Sequence, residues 1–159
     1  MSDVSRAETT RIVAGMPLFS GLTKRQLASI AKVVDHQTFQ PGDVLIREQQ
    51  DVQRLIIIRS GVAAVTRRGM IGRGDGGLEQ GATRRLGTVG PGDVVGELSL
   101  IDGQAASASV VAETPVDALL LYRTRFNKLL AAMPELYPRL LVGMAARIRA
   151  IDRQADIIA

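Results

Sequence analysis

Apolar and polar positions follow three different rhythms along the chain. Between Thr23 and Val34, Leu27, Ile30, Ala31 and Val34 recur at spacings of three and four, the period of a helix with one apolar face. Thr23 is placed to cap its N-terminus. Ahead of it, Ile12, Val13 and Met16 predict a further helical turn that ends near Pro17. From residue 38 to residue 122 the rhythm shortens to β-rich runs at 43–47, 54–58, 61–66, 85–89, 93–95, 107–112 and 116–122. The breaks between them carry turn residues, as in Pro41-Gly42-Asp43, Ser60-Gly61 and Gly90-Pro91-Gly92-Asp93. Many short strands with regular turns predict an antiparallel sandwich or roll. No helical stretch in this region is long enough for a βαβ unit, which disfavours a Rossmann domain.

The helical period returns after Thr124. Residues 125–132 read as a short helix, and Pro134 sits where a second one starts well, its missing N–H being unpaired there anyway. Tyr137, Leu141, Met144, Ile148, Ile151, Ala155 and Ile158 then follow at alternating spacings of four and three, flanked by Arg147, Arg149, Asp152, Arg153 and Asp156. This is a heptad seam. It fits either a helix packed on its own sheet or a homodimer of two such helices. The glycine-rich island at 69–83 reads as a mobile hairpin loop, and it lacks the Lys-Ser or Lys-Thr pair of a phosphate-cradling loop. The expected fold class is α+β: an antiparallel β-roll, double-stranded and jelly-roll-like, flanked by N-terminal helices and a long C-terminal helix.

Length and composition narrow the function. A chain of 159 residues makes one domain, divided here into a helical lead-in 1–36, a β-roll 37–122 and C-terminal helices 123–159. With two Tyr, three Phe and no Trp, the surface has few platforms for stacking bases, which excludes single-strand binding of that kind. The absence of Cys removes disulfides, thiolate metal sites and cysteine nucleophiles together. His36 is the only histidine, in a stretch Asp35-His36-Gln37 that reads as a polar turn, so a solvated histidine is expected rather than a metal ligand or a catalytic base. With no acid pair, nucleophile–base pair or metal cluster in view, the expectation is a binding protein without cofactor or metal, not an enzyme.

The formal charge of +4 is mild, and solubility accounts for it. The densest basic cluster, Arg67, Arg68, Arg73, Arg84 and Arg85, flanks the glycine-rich island. The apolar run 140–146 is far shorter than the ~20 residues of a membrane span. The N-terminal Met1-Ser2-Asp3-Val4-Ser5-Arg6 lacks the pattern of a signal peptide. A cytoplasmic protein is expected.

Chemistry concentrates between Gly92 and Ala112. A strand ending at Gly96 is followed by a short apolar helical turn from Glu97, then by small residues, then by a strand opening at Ser107. A helix N-terminus presents free N–H groups that suit a phosphate, and Glu97 there is a carboxylate able to accept hydroxyl hydrogen bonds of the kind a ribose offers.

The segment resembles the phosphate-binding cassette of the cyclic nucleotide-binding domain of catabolite activator proteins, protein kinase A regulatory subunits and cyclic nucleotide-gated channels. The family pattern is roughly Gly-Glu-Leu-Ala-Leu, a few residues, then Pro-Arg-x-Ala-Thr-Val-x-Ala. It is matched by Gly96-Glu97-Leu98-Ser99-Leu100 and by Ala105-Ala106-Ser107-Ala108-Ser109-Val110-Val111-Ala112. Pro17-Leu18-Phe19-Ser20-Gly21-Leu22, Phe39-Gln40-Pro41-Gly42-Asp43-Val44-Leu45-Ile46, Leu55-Ile56-Ile57-Ile58-Arg59-Ser60-Gly61 and Gly90-Pro91-Gly92-Asp93 resemble further landmarks of the family in the same order.

The resemblance implies a regulatory module for a 3′,5′-cyclic nucleotide, cAMP ahead of cGMP, signalling through its C-terminal helices to an unidentified protein partner. The implied ligand-binding residues are Gly96, Glu97, Leu98, Ser99, Ala106, Ser107, Ala108 and Ser109. Two departures from the pattern bear on the phosphate. Ala106 stands where binding members carry the arginine that pairs with the cyclic phosphate, and Ala105 replaces the preceding proline, so affinity is expected to fall by at least about tenfold. Gln49 replaces a common glycine, which implies a different turn type, and Arg84 and Arg85 of the loop are expected to be solvated rather than to swing toward the vacant position. Two readings follow: a sensor with a degenerate cassette, or a scaffold for dimerisation or protein contact that keeps the fold only. Transcription-factor relatives carry a winged helix-turn-helix after the long helix. The chain stops at Ala159, so direct DNA binding is not expected.

Overall fold

The computed structural model describes residues 4–158, and the side chains of 151 and 154–158 lie outside that description. Two compact units are formed, one from Asp35–Leu120 and the other from the helical segments before and after it.

The first unit is built from two four-stranded sheets. One has the order β1 (Asp35–Phe39), β8 (Val116–Tyr122), β3 (Arg54–Ser60), β6 (Val94–Val95), and the other β2 (Val44–Ile46), β7 (Ser109–Ala112), β4 (Ala63–Gly72), β5 (Leu78–Val89). The described pairings are antiparallel, for instance Phe39 opposite Val116 and Ala63 opposite Val89. Phe39, Leu45, Ile56, Val95, Val110 and Val116 are among the buried residues of one core cluster. Along β3 the run Leu55, Ile56, Ile57 and Ile58 is buried at every position. A strand covered on both faces loses the alternation of a half-exposed one, which is why its sequence is continuously apolar.

All seven strands expected from the sequence are present, five of them with ends shifted by at most two residues, while β4 runs on to Gly72 and β5 starts at Leu78. The eighth, β1, was not foreseen. Asp35-His36-Gln37 is not a polar turn: His36 lies on β1 opposite Leu119, half-buried, and its Nε2 is buried without a hydrogen bond among the described residues. The island at 69–83 is a hairpin, as expected, but most of it is ladder rather than loop. β4 and β5 carry the ladder outward through Met70 opposite Gln80 and Gly72 opposite Leu78. Only the tip turns, where Arg73 donates its N–H to the Gly77 carbonyl (2.6 Å) and Asp75 Oδ1 accepts from the Gly77 N–H (2.9 Å). Backbone pairing does not depend on side-chain β-propensity, and Arg68 with Gln80 and Arg73 with Glu79 tie the two strands across it.

The second unit contains α1 (Arg6–Ala14), a 3-10 turn at Pro17–Phe19, α2 (Lys24–Ala31), α4 (Arg123–Ala132) and α5 (Leu136–Ile158); α3 (Glu97–Asp102) belongs to the first. Thr23 caps α2 as expected and forms a full capping box with Gln26. Gln26 also donates to Glu135 Oε1 (2.7 Å), and Arg139 donates to Ser20 Oγ (3.0 Å). α5 starts two residues after Pro134, whose carbonyl accepts from the Tyr137 N–H (3.1 Å). Leu136 and Leu140 are buried, whereas Tyr137, Leu141 and Ile148 of the heptad seam are 48%, 60% and 60% exposed. Met144 is half-buried, and the side chains of Ile151, Ala155 and Ile158 lie outside the described residues.

Candidate functional site

The candidate cassette begins where β6 ends. Gly96 takes φ +92°, and a Cβ there would stand 2.8 Å from the Arg54 carbonyl oxygen and 3.2 Å from Val52 Cγ1. Only glycine fits this left-handed, backbone-crowded position. The turn aims Glu97 inward, at 1% exposure, with Ser99 and Leu100 also buried, while Leu98 and Ile101 face outward. A carboxylate placed so deep is costly unless it is met by polar partners, so its position is set by the fold rather than by chance. Gly103 ends α3 in a left-handed conformation and donates its N–H to the Ser99 carbonyl (2.9 Å).

The second half of the cassette is fastened to the 48–50 turn. The Ala106 N–H donates to the Gln50 carbonyl (3.0 Å), and the Gln49 N–H donates to the Ala106 carbonyl (2.8 Å). Gln49 is left-handed at φ +65°. The expected change of turn type is therefore not seen: a glutamine adopts the conformation that suits glycine, at a cost of about 1 kcal/mol. Ser109 Oγ accepts from the Glu48 N–H (2.9 Å), and Glu48 Oε2 accepts from the Arg68 N–H (3.0 Å). Ile46, Val52 and Arg54 border Gly96, so both halves of the cassette rest on residues 46–54.

All eight site residues expected from the sequence thus fall on this one assembly, with different surroundings. Ala106 is buried to 7% exposure, with a methyl group where the resemblance places a guanidinium. Ser107 is exposed and Ala108 half-buried. Arg85 does not turn toward Ala106 but pairs with Glu113. The arginine at the cassette is Arg67, whose Nε donates to the Ser107 carbonyl (2.9 Å). Sequence reasoning placed Arg67 only in a general basic cluster. The signal that finds it is register: Thr66 stands opposite Ser109, which carries the next residue of β4 toward Ser107.

Among the described residues no group of three or more acidic or histidine side chains is placed to hold a metal ion. No described helix is long and apolar enough to cross a membrane.

The family profile described as Cyclic nucleotide-binding domain matches residues 36–133. The CRP-like cAMP-activated global transcriptional regulator of Mycobacterium tuberculosis is 30% identical over 148 residues, which cover 92% of this chain and 62% of that protein. The chain thus spans about three-fifths of the length of this relative. Thermus thermophilus catabolite activator protein superposes with a TM-score of 0.71 at 27% identity, over 89% of this chain and 62% of that one. A triple mutant of the regulatory subunit of a cAMP-independent protein kinase A from Trypanosoma brucei, bound to cAMP in the A site, superposes with a TM-score of 0.70 at 29% identity, over 85% of this chain and 46% of that one. By sequence, by fold and by the assembly built on Gly96 and Glu97, this chain belongs to the cyclic nucleotide-binding domain family.

Proposed function

We propose that the domain is a regulatory module that binds a 3′,5′-cyclic nucleotide, cAMP ahead of cGMP, through a cassette lacking its usual phosphate arginine, and that occupancy is passed on through α4 and α5. The observation that carries this reading is Glu97, a carboxylate buried at the start of α3 behind a glycine that nothing else can replace. A buried carboxylate accepts hydroxyl hydrogen bonds strongly, and the 2′-hydroxyl of a ribose is the donor this position suits. The Trypanosoma brucei relative, described as part of a cAMP-independent kinase, is bound to cAMP in a form with three substitutions, one of which introduces an arginine. The module acts by binding and performs no reaction.

Calorimetric titration tests the proposal. The expected result is cAMP binding weaker than about 10 μM, with Glu97→Gln weakening it about tenfold further. If neither the unmodified chain nor Ala106→Arg binds cAMP or cGMP at about 1 mM, the sensor reading fails. The scaffold reading, favoured by the methyl group at Ala106, then takes its place.

We also propose that α5 pairs with α5 of a second copy. The exposed Tyr137, Leu141 and Ile148 occupy one face at heptad spacing, and apolar residues so arranged are covered by a partner helix in a coiled coil. In sedimentation at about 50 μM the unmodified chain is expected to run as a dimer and Ile148→Asp as a folded monomer. A monomeric unmodified chain refutes the pairing.

A further inference from the structure

We propose that Arg67 is the cation that meets the cyclic phosphate in this domain, in place of the arginine missing at Ala106. The inference rests on the cyclic nucleotide reading and assigns the phosphate a partner on β4, outside the cassette itself.

Three observations converge on Arg67. Its Nε donates to the carbonyl of Ser107 (2.9 Å), the residue next to Ala106, which pins the guanidinium beside the place where a cassette arginine would start. Three other arginines of the basic cluster are engaged elsewhere: Arg73 with Glu79 (3.0 Å), Arg85 with Glu113, and Arg68 with Gln80. Arg67 has no carboxylate partner among the described residues. Its cross-strand partner is also cationic, since Arg67 stands opposite Arg84 in the β4–β5 ladder. Like charges directly opposite one another on a sheet repel, and an anion bound beside them relieves that repulsion.

The chemistry fits a phosphate. A guanidinium has five N–H donors in a planar fork, so the bond from Nε to Ser107 leaves the terminal amino groups for two phosphate oxygens. Ser107, exposed at the same point, adds a hydroxyl donor. The bond to a backbone carbonyl also fixes the side chain before ligand arrives, which lowers the ordering cost of binding. A ligand with the same base and sugar but no phosphate gains nothing from Arg67, and this difference supplies the test.

The full chain is titrated with cAMP and with adenosine. Arg67→Met is expected to weaken cAMP about tenfold and to leave adenosine within about twofold. Arg73→Met, which removes the same formal charge at the hairpin tip, is expected to leave both within about twofold. Adding Ala106→Arg to Arg67→Met is expected to restore cAMP binding. Undiminished cAMP binding by Arg67→Met overturns the role of Arg67 and leaves the cyclic nucleotide reading standing. Equal losses for cAMP and adenosine also overturn it, because Arg67 would then be a structural support of the cassette. Failure of the unmodified chain and of Ala106→Arg to bind cAMP removes the cyclic nucleotide reading and the role of Arg67 with it.

Discussion

Ala106→Arg is expected to tighten cAMP binding by about 1.5 to 3 kcal/mol, roughly 10- to 150-fold. The position is buried, and its N–H and carbonyl are both held by the 48–50 turn. A new side chain therefore starts from a fixed Cα and gains a charge-assisted pair with the phosphate. Arg67 makes the gain depend on context. Two guanidinium groups that serve the same phosphate act as neighbours rather than independently, so the gain should be larger when Arg67→Met is present than when it is absent. Calorimetry of the four combinations measures this coupling. Equal gains in both backgrounds would mean that Arg67 and the residue at 106 do not share a ligand group.

Gly61→Ala is expected to destabilise the domain by more than about 3 kcal/mol. Gly61 adopts φ +89°, and a Cβ there would stand 2.1 Å from the Pro115 carbonyl oxygen and 2.9 Å from Val116 Cα. Both are backbone atoms of the turn into β8. That turn is tied to its neighbour, since the Val62 N–H donates to Thr114 Oγ1 and the Glu113 N–H donates to the Val62 carbonyl, each at 2.9 Å. Neither side can withdraw without breaking these bonds. Gly42 separates the two causes. It has a similar φ of +92°, but a Cβ at that position would meet nothing within 4 Å, so Gly42→Ala carries only the conformational cost of about 1 kcal/mol. Denaturant titration of both variants should show the larger loss at Gly61. Equal losses would mean that the turn into β8 yields.

The cassette was legible because its constraints are local. A left-handed glycine, an inward carboxylate and a short helix closed by another left-handed glycine leave a compact signature in Gly96, Glu97 and Gly103. The β4–β5 hairpin left no such trace. Its ladder is made of backbone groups, and a run of glycine and arginine reads as a flexible loop when only side chains are counted. β1 was missed for a related reason: of Asp35, His36, Gln37, Thr38 and Phe39, only Phe39 is fully buried, so the strand has no apolar alternation to display. Arg67 became visible only through the pairing of β4 with β7. That pairing brings Thr66 opposite Ser109, some forty residues apart in sequence, and no spacing along the chain encodes it. Gln49 shows a different limit. The conformation that suits glycine was kept without glycine, because its N–H is held by the Ala106 carbonyl.

The hairpin also ends its sheet. β5 is a 12-residue edge, beside edge strands of 5, 3 and 2 residues in β1, β2 and β6. An open edge offers a row of unpaired N–H and C=O groups to any extended chain, and length makes that template more dangerous. Met70, Ile71 and Leu78 near its tip are exposed, which adds apolar surface to the hazard. The ladder counters it with two irregularities, between Val65 and Thr66 and between Arg68 and Met70, and with the adjacent charges of Arg84 and Arg85. Bulges twist an edge out of plane, and like charges oppose in-register stacking of identical copies. The bulges and the arginines of β5 thereby guard the domain against aggregation through its longest strand.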